Sequence, residues 1–269
     1  MSENNHTPAP WHQPGIIRLN TMALIHAQGP DVLSFLQGQF TCDINSLKSG
    51  QSSLGAYCDR KGRMIANFHL TRLNQDVFIC LPKSMVDILL KPLQKYKLRA
   101  QVKLSVSEQF QLFGITPATD NTATKSLLTI PFSPPCQHQI LVIPQTHAEQ
   151  AWQNLSQTNI VLTESQWQRH SIESGLAYIE PNTSERFLPQ MLNWEKHGGV
   201  CFSKGCYIGQ EIVARSQHLG KIKKRPKVIT LPSGPAPQIG AALSEADPSI
   251  VIAAAATEHG YTTLCVVRA

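Results

Sequence analysis

Lys204-Gly205-Cys206-Tyr207-Ile208-Gly209-Gln210-Glu211 is the stretch from which the rest of the chain can be read. A basic run follows it. Between Lys204 and Lys227, seven Lys or Arg residues (Lys204, Arg215, Lys221, Lys223, Lys224, Arg225 and Lys227) face one acid, Glu211. That segment carries +6, the net charge of the whole 269-residue chain, so the excess positive charge is local. A thiol beside a lysine in such a segment sits where a cysteine shifts toward thiolate and where an anion docks. Gly205 and Gly209 bracket the cysteine and let the backbone approach a neighbour closely. From Gln210 to Arg215 the residues include good helix formers, which predicts a helix start near Cys206, where the dipole favours a thiolate. The plainer alternative is a small buried hydrophobe, as most free cysteines are.

The longer run Gly198-Gly199-Val200-Cys201-Phe202-Ser203, continued through Glu211, resembles the signature of the YgfZ family of folate-binding proteins, with its K-G-C-Y-x-G-Q-E core. Three more stretches fit the same family: residues 29–43, with Phe35-Leu36-Gln37-Gly38-Gln39-Phe40-Thr41-Cys42-Asp43; residues 55–63, with Asp59-Arg60-Lys61-Gly62-Arg63; and Phe187-Leu188-Pro189-Gln190-Met191-Leu192-Asn193. The resemblance covers the chain from about Gly29 to Arg225, in order. It implies a fold similar to the glycine cleavage T-protein, an aminomethyltransferase, with tetrahydrofolate or a derivative as cofactor. It also implies a part in assembling or repairing iron–sulfur enzymes and in tRNA modification. Folate and iron–sulfur enzymes or their assembly factors would then be the partners. Cys206 would be the required thiol. Lys204, Tyr207, Gln210, Glu211, Arg215, Lys223 and Arg225, with Asp59, Lys61 and Arg63, would bind the cofactor.

The transferase carries an acidic pair in a Gly-Gly-x-x-Asp-Asp pattern, one member of which is its catalytic aspartate. The matching residues here are Gly62-Arg63-Met64-Ile65-Ala66-Asn67. Neither Ala66 nor Asn67 can supply negative charge or take up a proton. The leading expectation is therefore a folate-binding accessory protein, and the alternative a folate-dependent one-carbon transferase using another residue.

Composition bounds these readings. At 269 residues the chain can bury a sizeable core and form two or three sub-domains. Its longest apolar runs, such as Val251 to Ala256, are far short of a membrane span, and residues 1–14 read as a disordered tail without signal-peptide character. Seven cysteines with no Cys-x-x-Cys pair suit reduced thiols in a cytoplasmic protein. No His-x-x-x-His or His-Glu-x-x-His spacing supports a metal, and Cys201 and Cys206 match no common zinc spacing. His197 and His218 read as surface histidines, and Glu185 with Glu195 is only a loose acid–base candidate. No G-x-S-x-G elbow appears. A pI near 9.0 permits nucleic-acid contact, but Lys221 to Lys227 lacks interleaved aromatics, which argues against a nucleic-acid partner.

Along the chain, alternating short strands and single amphipathic helices predict an α+β fold of antiparallel sheets covered by helices. Residues 15–115 form a first sub-domain: a strand and turn over 16–27, a helix capped by Asp31 that ends near Gly38, and a hairpin turning at Asp59-Arg60-Lys61-Gly62. Ser84 is the expected cap of a helix presenting Met85, Leu89, Leu93 and Tyr96. The polar loop 116–125 marks a boundary, and residues 116–225 form a second sub-domain that carries the signature. There Thr163-Glu164-Ser165-Gln166 is a capping box and Gly175 a helix stop. Residues 226–269, rich in Pro and Gly, read as β-hairpins: a truncated barrel.

Overall fold

The computed structural model describes residues 14–117, 126–132, 136–220 and 222–269. The expected tail, most of the loop 116–125 and Lys221 lie outside the described residues.

The α+β expectation holds. Strands β1 (Gly15–Arg18), β2 (Met22–Gln28), β3 (Ser52–Cys58), β4 (Met64–Leu73), β5 (Asp76–Pro82), β6 (Lys103–Val106), β7 (Phe110–Thr116), β8 (Leu128–Pro131), β9 (Gln139–Pro144) and β10 (Ile160–Val161) make two five-stranded sheets. Their orders are β3-β4-β5-β2-β6, antiparallel throughout, and β10-β1-β7-β9-β8, in which only β1–β10 is parallel. Helices α1 (Val32–Gln37), α2 (Val86–Tyr96), α3 (Gln145–Ser156), α4 (Glu164–Glu173) and α5 (Gln210–His218) connect and cover them.

Period-two alternation explains how the second sheet is buried on both faces. Ile16, Phe113, Ile115, Leu141 and Ile143 point to one side and pack on Ala148, Ala151 and Leu155 of α3. Their neighbours Ile17, Leu112, Ile140 and Val142 point to the other, into the large core shared with the first sheet. A third sheet, of β11 (Lys224–Pro232), β12 (Ile250–Thr257) and β13 (Gly260–Arg268) in the order β11-β13-β12, is antiparallel and does not close. This is the truncated barrel. Pro226 and Pro232 lie on its edge strand β11, where a missing N–H does least harm.

Two caps differ from expectation. Asp31 makes no side-chain bond to α1; its carboxylate instead accepts the Gln101 N–H at 2.7 Å and ties the loop before β6 to the helix start. Ser84 does not cap α2, which opens through a 3-10 turn at Lys83–Met85, and the Ser84 hydroxyl donates to Glu180. In both cases a long-range acceptor or donor outcompeted the local one. The Thr163–Gln166 capping box forms as read, and Gly175 closes α4 with φ +74°. Among the described residues no helix is long and apolar enough to cross a membrane.

Candidate functional site

The signature is held by a lysine turned inward. Lys204 is 9% exposed, and its Nζ donates to the carbonyls of Gln37, Phe40 and Cys42 at 2.6, 2.8 and 2.7 Å. An ammonium has three N–H groups, and here each finds an acceptor. The Tyr207 ring lies 5.3 Å from the same Nζ. Burial lowers the Lys204 pKa, and the nearby Cys42 and Asp43 oppose that shift. The expectation that Lys204 stands ready for a cofactor thus meets a different arrangement, in which its charge is committed to the backbone after α1.

Two glycines set the position of α5. Gly209 has φ +80° and is the residue before the helix; a Cβ there would run into the Asp59 carbonyl and the Gly62 backbone. Gly62 has φ +73° and lies against Gly209, Val213 and Ile212. Hairpin turn and helix start therefore meet glycine to glycine, at a distance no side chain permits. Gly205, by contrast, has open space around it. Asp59 shapes the turn: its Oδ1 accepts the N–H groups of Lys61 and Arg63, both at 2.8 Å.

A cavity of about 900 Å³ opens between this turn, the signature and the end of α2. Asp59, Lys61, Cys206, Tyr207, Gln210 and Glu211 line it, as the sequence reading placed them together. Tyr57 and Tyr96, not read as site residues, also line it, as do Arg60 of the hairpin turn and Glu185, read only as a loose acid–base candidate. Tyr96 was placed on the core face of α2, yet it is 41% exposed and reaches the cavity. The Tyr207 side chain is nearly buried, and its hydroxyl has no hydrogen-bond partner among the described residues. Burial raises the pKa of that hydroxyl, so it stays protonated.

The remaining candidates lie off this wall. Arg63 donates to the Arg186 carbonyl at 2.6 Å and clamps the hairpin to the segment before α5. Arg225 bridges Gln190, Asn193 and Glu195, the last at 2.7 Å, and holds β11 to the chain around residue 190. That also occupies one member of the Glu185–Glu195 pair. Arg215 and Lys223 are exposed, on α5 and just before β11. Hence the cavity is not the cationic pocket that the basic run suggested, since Arg60 and Lys61 face Asp59, Glu185 and Glu211.

Among the seven thiols, Cys206 is the exposed one, Cys201 is half-buried, and five are buried. Burial pushes Cys42 and Cys80 up to about 12 and Cys136 up to about 11, and it raises Cys58 and Cys265. Burial thereby disfavours the thiolate at these five positions. Asn67, which the sequence reading matched to the transferase acid, is fully buried: its amide nitrogen donates to the Ala177 carbonyl at 2.9 Å and its amide oxygen accepts the Ile179 N–H at 2.6 Å. It works as a bracket between β4 and the chain after α4. Among the described residues no group of three His, Cys, Asp or Glu side chains stands together as a metal site.

No family model matches the chain. The chain is similar to the tRNA-modifying protein YgfZ of Photorhabdus laumondii, 34% identical over 228 residues that make up 78% of this chain and 68% of the relative. The protein of that name from Hamiltonella defensa is 31% identical over 247 residues, 85% of this chain and 73% of its own. A crystal structure of the glycine cleavage system aminomethyltransferase T from Bartonella henselae shares the fold, with a TM-score of 0.68, 15% identity, and coverage of 95% of this chain and 78% of that one.

Proposed function

The chain belongs to the YgfZ family, and on that premise we propose that it is a folate-binding accessory protein serving tRNA modification through the upkeep of iron–sulfur enzymes, with Cys206 as its working thiol. The observation that carries this reading is the position of Cys206, an exposed thiol on the wall of a cavity of about 900 Å³. That volume is within the range of pockets that enclose drug-sized ligands. Tyr96, the exposed ring of the wall, offers ring surface to a flat heterocycle, and Arg60 and Lys61 offer charge to a glutamate tail. The Gln210 amide on the cavity wall supplies a polar contact for a bound pterin. Bound tetrahydrofolate supplies a carrier for one-carbon units at its N5 and N10. The protein's contribution is to orient that carrier beside the thiol and to keep the thiol open to a partner.

The transferase alternative has less support, because Asn67 is spent on Ala177 and Ile179 and no carboxylate stands in its place. Calorimetric titration with tetrahydrofolate, paired with growth and tRNA analysis in cells lacking the protein, tests the reading. Cys206→Ser should bind folate and melt within about 0.5 kcal/mol of the native chain, since an exposed site leaves no cavity, yet should fail to restore the modification. Restoration by Cys206→Ser would remove the thiol from the account.

A further inference from the structure

A second cavity, of about 510 Å³, shares no lining residue with the Cys206 site and lies where α4, the start of α2 and the third sheet meet. Its walls are largely apolar, with Ile172 and Leu176 on and just after α4 and Ile252 and Ala253 of β12 among them. Two carboxylates enter it from different elements, each oriented by a hydroxyl on another one. Glu164, in the first turn of α4, accepts from Thr21 of the β1–β2 turn at 2.9 Å; Glu180 accepts from Ser84 at the start of α2. Among the described residues, Lys83 is the single cation of the lining. In a chain of net charge +6, this cavity is locally negative.

An apolar pocket with a few fixed polar groups is the usual form of a small-molecule site, and the sign of those groups selects the ligand's charge. We propose that this cavity binds a small organic cation, an amine or amidine on a flat apolar body, with Glu164 and Glu180 as its counter-charges. A carboxylate bonds an amidinium through charge-assisted N–H···O contacts, and the apolar lining of Ile172, Leu176, Ile252 and Ala253 suits the adjoining flat body. Burial raises the Glu180 carboxyl above its ordinary range, a shift that a bound cation would reverse.

Benzamidine, benzamide and benzoate share one ring and differ in charge, so they serve as probes, with binding followed by saturation-transfer NMR on the full chain. Benzamidine should bind at least about tenfold more tightly than the other two, and Glu164→Gln combined with Glu180→Gln should abolish the preference. Glu164→Gln alone, which should weaken it, carries the same test if the double variant does not fold. Cys206→Ser and saturating tetrahydrofolate should leave benzamidine binding unchanged, whether or not folate binds at Cys206. No saturable benzamidine binding, equal binding of all three probes, a preference undiminished by Glu164→Gln, or displacement by tetrahydrofolate would each overturn the assignment.

Discussion

Lys204 shows how one residue can serve a site without facing a ligand. Its ammonium gathers three carbonyls from residues 37, 40 and 42, so the loop carrying Cys206 is fixed to the chain that follows α1. Lys204→Met keeps much of the stem's apolar contact and removes the donors, leaving buried carbonyls unpaired. Charge-assisted bonds of this kind are worth about 1.5–3 kcal/mol, and an unsatisfied buried group costs about 1–3 kcal/mol. The variant should therefore lose about 2–4 kcal/mol of unfolding free energy in urea titration, and native-state alkylation should extend beyond Cys206 as the loop loosens. An unchanged denaturation midpoint would mean that the three contacts are incidental. The lysine's place in the motif was plain in the sequence, but its direction was not, because spacing does not record which way a long flexible side chain turns.

The hairpin β3–β4 and helix α5 form the next scale. Their register and start were legible: the turn falls at residues 59–62 and the helix begins at Gln210, one residue past a glycine. What the sequence hid was that Gly62 and Gly209, 147 positions apart, pack on each other. Gly209→Ala combines a left-handed backbone, which costs a non-glycine residue about 1–3 kcal/mol, with a collision against Asp59 and Gly62. It should lower the melting temperature and weaken tetrahydrofolate binding together, whereas Gly205→Ala, with nothing near it, should leave both close to native. If Gly209→Ala bound folate normally, the contact between turn and helix would not shape the cavity. The strand β8 received no reading in the sequence, because its four residues are too short to show a period and end in Pro131. Asp31 and Ser84 were misread for a related reason, since local patterns cannot reveal Gln101 and Glu180 as competing partners.

In the whole molecule, the large core joins the first two sheets through a stack of buried rings. His69 of β4 stacks on Phe132 at 4.0 Å between centroids, and His138 stacks on Trp167 at 3.8 Å and on His170 at 4.9 Å. Burial pushes His69 from 6.5 down to about 3 and His170 down to about 4, and it lowers His138 as well. These groups stay neutral when folded, while the unfolded chain takes up their protons below about 6.5. The unfolded state then binds more protons, so stability rises with pH and is lost as pH falls from about 6.5 toward 4. Thermal melts across that window should show the loss, and His69→Phe should flatten it; a native chain equally stable at pH 4.5 and 7 would contradict the burial of these rings. Alternating hydrophobicity and the four motifs were enough to read the α+β plan and the open third sheet. They could not tell that Arg215 on α5 and Lys223, Lys224, Arg225 and Lys227 at β11 would stay off the wall of the Cys206 cavity, because charge along a sequence carries no direction in space. The central claim is that folate and Cys206 share one cavity. Its most direct measurement is the rate of Cys206 alkylation by iodoacetamide, read by peptide mass spectrometry with and without saturating tetrahydrofolate. The account predicts that tetrahydrofolate slows alkylation of Cys206 several-fold and leaves Cys201 unaffected, and an unchanged Cys206 rate at saturation would contradict it.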